Sequence, residues 1–215
     1  MNTTAEPVLE FPDSDGKPMA DNTLQYQWIV TVMGNLDALF ASNPNVFVAG
    51  DNLIYPVKGD NTIRSAPDVY VAFGRPKGHR GSYRVWDEGG VFPQVIFEVL
   101  SPGNRAGEMS KKRQFYRTHG AEEYYVIDPD ENTVEGWLRD GNTFREVVEM
   151  EGFKSPRLGI QFSTSGGQLV LTHPDGQPFR TFQQIVDRAT AAEREVERLQ
   201  ALLRAAGIDP DKPAG

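Results

Sequence analysis

A short apolar run, residues 94–100, constrains the fold of this chain more than any other segment. The two alternating faces of this run are apolar, and a single carboxylate, Glu98, lies in its middle. Because strand side chains alternate between faces, the pattern predicts a strand that is buried on both sides. A lone carboxylate in a buried strand is costly unless it is paired or binds a metal ion. We therefore expect Glu98 to have a dedicated partner.

Two further residues point to the same part of the fold. Asp68 opens a second apolar strand, residues 68–73, directly after Pro67. Lys112 interrupts the apolar stripe of a helix that we predict over residues 106–118. Two carboxylates and a lysine that a sheet brings together are suited to a metal-dependent phosphodiesterase site.

The spacing of the helix residues predicts where Lys112 points. Met109, Lys112 and Tyr116 are three and four residues apart, so they share one side of the helix. Met109 and Tyr116 are the natural inward residues, and Lys112 is carried inward with them. We therefore expect the strand–loop–helix unit to fold Lys112 back over Glu98.

These residue types suit hydrolysis of a phosphodiester bond, which needs charge neutralisation on the phosphoryl oxygens and an activated water. A hard divalent ion, Mg²⁺ or Mn²⁺, supplies both. We expect Asp68 and Glu98 to hold this ion together with the main-chain carbonyl of Val99. Lys112 then orients the water or stabilises the developing negative charge. These assignments make Asp68, Glu98 and Lys112 the predicted catalytic residues.

Each of these residues also has a purely structural interpretation. Asp68, after a proline, can shape a turn. Glu98 can form a buried ion pair with Lys112 and bind no metal. Lys112 can extend its amine to solvent. The sequence leaves these alternatives open.

Charge and composition bear on the partner of the chain. The net charge of −8 argues mildly against nucleic acid, because phosphate binding needs local positive charge. Two basic clusters soften that objection, although both can also be solvated surface. The predicted nucleic-acid contacts are Arg75, Lys77, Arg80, Arg84, Arg105, Lys111 and Arg113. The three histidines are scattered, so we expect no zinc site.

The ends of the chain differ from its middle. We predict a loose arm over residues 1–20, a folded core domain over 21–178, a helix over 179–206 and a disordered tail over 207–215. The arm has no signal-peptide pattern, and no apolar stretch is long enough to cross a bilayer. Cysteine is absent, which fits a cytoplasmic location.

The order of predicted elements indicates a mixed α/β fold: helix, three strands, helix, strand, then further strands. The C-terminal helix has apolar residues at alternating spacings of four and three, typical of a coiled coil. These residues are Ile185, Ala189, Ala192, Val196, Leu199 and Leu203. We expect the helix to pair in a homodimer in preference to packing back on its own domain.

Several short motifs, taken in order, resemble the Uma-two family of restriction endonucleases, a branch of the PD-(D/E)XK nuclease superfamily. They are Pro67-Asp68-Val69, residues 97–102 around Glu98, Lys112 with Tyr116, Glu123-Tyr124 and Asp128-Pro129. The resemblance covers roughly residues 20–150. It implies a restriction-endonuclease-like core with a central mixed β-sheet flanked by helices, magnesium dependence and frequent dimers.

Two departures from the superfamily pattern concern the site. The superfamily lysine usually stands two residues after the second acid, where this chain has Leu100, and Lys112 on the next helix is similar to a migrated lysine. Relatives often carry a histidine near the start of the first helix, where Tyr26 or Gln27 stands here.

Three functions compete on this basis. The first is a metal-dependent endonuclease that hydrolyses DNA. The second is a catalytically inactive nuclease-like domain that acts as a dimeric nucleic-acid or protein binding module, which the acidic net charge favours. The third is a small-molecule phosphodiesterase. Convergence of Asp68, Glu98 and Lys112 in space is the first requirement of a catalytic site.

Overall fold

The computed structural model describes residues 9–14, 16, 18–104 and 106–209. Within it the chain divides into two units, Met1–Phe179 and Arg180–Gly215. Residues 1–8 of the predicted arm and 210–215 of the predicted tail lie outside the described residues. The domain limits expected from the sequence stay a prediction.

The first unit contains two α-helices, ten strands and one short 3-10 helix, Ser165–Gly167, among its described residues. In chain order the α-helices and strands are α1 (Thr23–Leu39), β1 (Val46–Ala49), β2 (Ile54–Tyr55), β3 (Val69–Phe73), β4 (Tyr83–Arg84), β5 (Val95–Val99), α2 (Ala106–His119), β6 (Glu123–Asp128), β7 (Thr133–Asp140), β8 (Thr143–Glu146), β9 (Gln161–Ser163) and β10 (Val170–Thr172).

Six strands form one mixed sheet in the order β1-β3-β5-β6-β7-β8. The pair β5 and β6 is parallel, whereas the other neighbours in this sheet are antiparallel. A parallel pair needs a crossover connection, and α2 supplies it. This mixed sheet with flanking helices confirms the predicted fold class.

Strand β5 lies inside the sheet, and all five of its residues are buried. Val95, Phe97 and Val99 belong to the hydrophobic core that also contains residues of α1. Ile96 belongs to the other core, which Tyr116 of α2 shares. The two faces of β5 are therefore both covered, as the apolar run predicts, and Glu98 lies on the α2 face.

Helix α1 begins after a capping residue, Asn22. The side chain of Asn22 accepts a hydrogen bond from the Gln25 amide, which satisfies a free N–H of the first turn. Its residues Ile29, Val32 and Leu36 are almost fully buried in the first core. The helix thereby holds its N-terminal end against the end of β5.

A long loop between β3 and β5 and part of the predicted arm both make specific contacts. In the long loop over residues 74–92, β4 pairs in parallel with β2. In the arm, the Phe11 ring packs edge-on against Tyr55 at 5.1 Å, and the Pro12 carbonyl accepts a hydrogen bond from the Tyr55 hydroxyl. Apolar and main-chain contacts therefore hold residues 11–12 against the sheet unit.

The second unit consists of helix α3 (Phe182–Ala205), which begins with a capping box formed by Thr181 and Gln184. A C-terminal helix is thus present, as the sequence predicts. Pairing of its apolar stripe with a second copy stays a prediction. Among the described residues, no helix is long and apolar enough to cross a membrane.

Candidate active site

The partner of Glu98 is Lys112, as the helix spacing predicts. The Lys112 amine donates to Glu98 Oε2 at 2.8 Å, and the Tyr116 hydroxyl donates to Glu98 Oε1 at 2.8 Å. The Glu98 side chain is 2% exposed, whereas that of Lys112 is 24% exposed. The carboxylate is therefore held from inside the fold by groups that α2 presents on one side.

Tyr116 is a fixed hydrogen-bond donor to this carboxylate. Burial and the nearby charge of Glu98 raise its pKa well above the usual range, so the hydroxyl keeps its proton. The same hydroxyl lies 2.9 Å from Ser65 Oγ. Tyr116 therefore connects Glu98 to the segment that leads into β3.

Asp68 lies directly before β3, and its carboxylate reaches the end of β5. Asp68 Oδ2 accepts a hydrogen bond of 2.6 Å from the Val99 amide, which follows Glu98 in the chain. The antiparallel pairing of β3 and β5, with Val69 opposite Phe97, sets this approach. The two predicted acidic residues are thus brought together by strand register.

Gly50 permits the backbone of β1 to pass close to Asp68. A Cβ atom at Gly50 would collide with the main-chain carbonyl of Asp68. The next residue, Asp51, has a positive φ of 57° and donates its amide to the Pro67 carbonyl at 3.0 Å. This turn fixes the chain on the far side of Asp68.

The charges of the site are unbalanced. Burial, followed by repulsion from Glu98, raises the pKa of Asp68 to about 8. Burial opposes the charged form of Lys112, but the neighbouring Glu98 and Asp68 outweigh it and raise the pKa of the amine. One ammonium group therefore faces two carboxylates, and an additional cation would allow both acids to ionise.

The site opens into a cleft of about 420 Å³. The charged residues that line it are mostly acidic: Asp21, Asp51, Asp68 and Glu108, with Arg64 and Lys112 as the cations. A phosphate group would meet net negative charge in this cleft without a bound cation. Among the described residues, no group of three or more His, Cys, Asp or Glu side chains is arranged to hold a metal ion.

The main-chain carbonyl of Val99 has a partner that the sequence analysis missed. Gln25 Nε2 donates to it at 2.8 Å, and Gln25 Oε1 accepts from the Asp21 amide at 2.8 Å. Gln25 is 7% exposed. Tyr26, one of the two residues that stand where relatives often carry a histidine, is 51% exposed. The sequence pattern that could have identified Gln25 as an inward residue is its position four residues before the buried Ile29, on the same side of α1.

The predicted nucleic-acid contacts have varied surroundings. Arg75 and Arg80 form ion pairs with Glu88 at 3.2 and 2.5 Å, which ties the long loop to itself. Lys77 pairs with Asp37 at 3.3 Å, and Arg84 donates to the Phe11 carbonyl. Arg113 lies over the Trp137 ring. Lys111 is exposed, and Arg105 falls outside the described residues.

The sheet order and the flanking helices define a mixed α/β protein in which two acids and a lysine meet at the end of β5. The chain belongs to the Uma2 family, whose model carries the description "Putative restriction endonuclease" and matches residues 17–164. This match confirms the family to which the sequence motifs point. The search of curated proteins returned no match.

A solved structure supports the fold. It is described as "a putative nuclease belonging to DUF820 from Anabaena variabilis ATCC 29413". It superimposes with a TM-score of 0.50 and 17% sequence identity, over 66% of this chain and 77% of that chain. At this identity the likeness concerns the fold alone.

Proposed function

We propose that this protein is a metal-dependent endonuclease that hydrolyses phosphodiester bonds of DNA. The observation that carries the proposal is the convergence of Asp68, Glu98 and Lys112 at the end of β5. Lys112 and Tyr116 hold Glu98, and Asp68 binds the amide of the very next residue. The family description, a restriction endonuclease, supports DNA as the substrate.

The residues present fit a divalent ion. Asp68 Oδ1 has no hydrogen-bond partner among the described residues, and each Glu98 oxygen keeps a second lone pair beside its hydrogen bond. Two carboxylates, a main-chain carbonyl and waters are a usual set of oxygen ligands for Mg²⁺, and Mn²⁺ accepts similar ones. When bound, such an ion would polarise the phosphate and lower the pKa of a bound water. Asp68 and Glu98 would hold the ion, with Val99 as the carbonyl ligand.

Lys112 is placed where its amine can interact with the phosphate of a bound substrate. Its amine lines the cleft, donates to Glu98 and lies 3.4 Å from the Ala66 carbonyl. Because its pKa is raised, the amine stays charged and can donate to a phosphoryl oxygen or orient the attacking water. Tyr116 keeps Glu98 in place from the buried side.

Calorimetric titration of Mg²⁺ and Mn²⁺ tests this proposal, with cleavage of supercoiled plasmid as the second readout. We expect wild type to bind the ion and nick DNA, and Glu98→Ala to do neither. Asp130→Ala, which removes an exposed carboxylate far along the chain, is the control and should behave as wild type. Cleavage by Glu98→Ala at the wild-type rate would refute the assignment.

A second candidate is a catalytically inactive module that binds nucleic acid or protein. The observation that favours it is the occupied Val99 carbonyl, which Gln25 Nε2 holds at 2.8 Å. Lys112 likewise occupies Glu98, as in a purely structural ion pair. This candidate predicts DNA binding that does not depend on Mg²⁺ and no cleavage by folded wild type.

We also propose a homodimer formed through α3 and a cytoplasmic location. The apolar stripe of α3 supports the first, and the absence of cysteine agrees with the second.

A further inference from the structure

A second cavity, which we call the slot, lies beside α2 on the same face of the sheet. Its volume is about 380 Å³, and its lining includes Tyr124 from β6, Trp137 from β7 and Arg113 from α2. The lining is more apolar than that of the catalytic cleft. A flat apolar group the size of a nucleobase would find room in it.

The hydroxyl group of Tyr124 is the most informative feature of the slot. Tyr124 is 1% exposed, and its hydroxyl is buried without a hydrogen-bond partner among the described residues. A buried polar group normally has a partner, because leaving one unpaired costs free energy. Tyr124 is one of the residues that line the slot, so a ligand that brings a donor or acceptor atom beside its ring is the candidate for the missing partner.

The walls of the slot suit a planar ligand. The rings of Tyr124 and Trp137 have centroids 5.6 Å apart at an interplanar angle of 37°. The Arg113 guanidinium lies 4.4 Å from the centre of the Trp137 ring. Unstacked nucleobases bind proteins by stacking on aromatic rings and on arginine planes.

The slot adjoins the proposed catalytic cleft. Asn104 lines both cavities. Tyr116, which donates to Glu98, has its ring centroid 5.6 Å from that of Tyr124. A nucleic-acid strand with a phosphate at the cleft therefore has a base site within reach.

We propose that the slot binds an unstacked base of the strand whose phosphate lies in the catalytic cleft. The substrate is accordingly DNA that is single-stranded or locally unpaired, because a base inside an intact duplex is not free to enter a slot. This inference rests on the proposed function for the position of the phosphate. The unpaired Tyr124 hydroxyl and the aromatic walls carry it independently of hydrolysis.

Fluorescence anisotropy of a labelled oligothymidylate of about 12 nucleotides, and of a duplex of the same length, tests the proposal. The measurement uses the full chain carrying Asp68→Asn, so that binding is observed without cleavage. We expect the single strand to bind more tightly than the duplex. Adding Ser110→Trp, at an exposed residue that lines the slot, should weaken single-strand binding about tenfold by filling the space.

Two further measurements protect the test against misfolding. Thr118→Trp places the same bulk on an exposed part of α2 outside the residues that line the slot, and it should keep the original affinity. Tyr124→Phe removes only an unpaired hydroxyl, so the fold should persist while single-strand binding weakens.

The outcomes separate this inference from the proposed function. Equal single-strand affinity with and without Ser110→Trp, and with and without Tyr124→Phe, would overturn the slot even if wild type cleaves DNA with Mg²⁺. Loss of binding in Ser110→Trp, with no Mg²⁺-dependent cleavage by wild type, would support the slot and refute hydrolysis. A preference for the intact duplex would also overturn the slot.

Discussion

The carboxylate of Asp68 accepts a hydrogen bond of 2.6 Å from the amide of Val99, the residue that follows Glu98. Two acids that are 30 residues apart in the chain are thereby held close together at the end of β5. Burial of Asp68, followed by repulsion from the nearby Glu98, raises the pKa of Asp68 to about 8. The arrangement is unfavourable for the metal-free fold and favourable for binding a cation.

Asp68→Asn should stabilise the metal-free protein in a pH-dependent way. The folded-state pKa of about 8 lies above the ordinary value of 3.8, so ionisation of Asp68 opposes folding between these pH values. The variant should therefore match wild type near pH 4 and exceed it by about 1–3 kcal/mol in free energy of unfolding at pH 8. Urea unfolding at both pH values, without divalent ions, measures this difference.

Mg²⁺ supplies the control for that prediction. It should raise the melting temperature of wild type at pH 8 and leave that of Asp68→Asn unchanged, because only the folded wild type binds the ion. Asp130→Asn, at an exposed position, should follow wild type throughout. A stability difference that is constant from pH 4 to 8 would contradict the role of ionisation.

The pair Glu98 and Lys112 should show strong coupling in a double-mutant cycle. Lys112→Met leaves a buried carboxylate with only Tyr116 as a donor, which should cost about 3–5 kcal/mol. Adding Glu98→Gln removes that charge and should restore part of the loss. Additive effects in denaturant unfolding would show that the two groups do not interact.

Lys112 also allows fold and catalysis to be separated. Lys112→Gln keeps a hydrogen-bond donor for Glu98 but loses the positive charge. We expect a fall of about 100-fold in plasmid cleavage, from lost electrostatic stabilisation, with a smaller proportional loss of stability. A matching loss of folded protein and of cleavage would assign Lys112 a structural role.

Gly50→Ala should damage the site without touching a charged residue. The added methyl group collides with the Asp68 carbonyl, so β1 or Asp68 must shift. We expect weaker Mg²⁺ binding in calorimetry and a lower melting temperature. Gly34→Ala is the matched control: its Cβ meets nothing within 4 Å, and alanine is the better helix former, so a gain of about 0.5–1 kcal/mol is expected. Unchanged Mg²⁺ affinity in Gly50→Ala would show that this close approach does not set the site.

The stripe on α3 should control the association state. Leu199→Asp places a charge in the predicted seam and should convert a dimer to a monomer in sedimentation equilibrium. Ala191→Asp adds the same charge outside the stripe and should leave the dimer intact. A wild type that sediments as a monomer at high concentration would rule out pairing through α3.

The sequence by itself determined the elements and their buried faces. The apolar run with Glu98 gives a strand covered on both sides, and the three-and-four spacing of Met109, Lys112 and Tyr116 places the amine inward. Such features depend on neighbours a few residues apart, so the pattern of residue types carries them.

Only the tertiary structure decided which distant groups meet. The register of β3 against β5 brings Asp68 to the Val99 amide, and the docking of α1 brings Gln25 to the Val99 carbonyl. The same packing pairs Arg75 and Arg80 with Glu88. It also leaves the Tyr124 hydroxyl without a hydrogen-bond partner among the described residues, and it sets the pKa of Asp68. Burial and charge at a point in space are sums over elements far apart in the chain, and no local pattern encodes them.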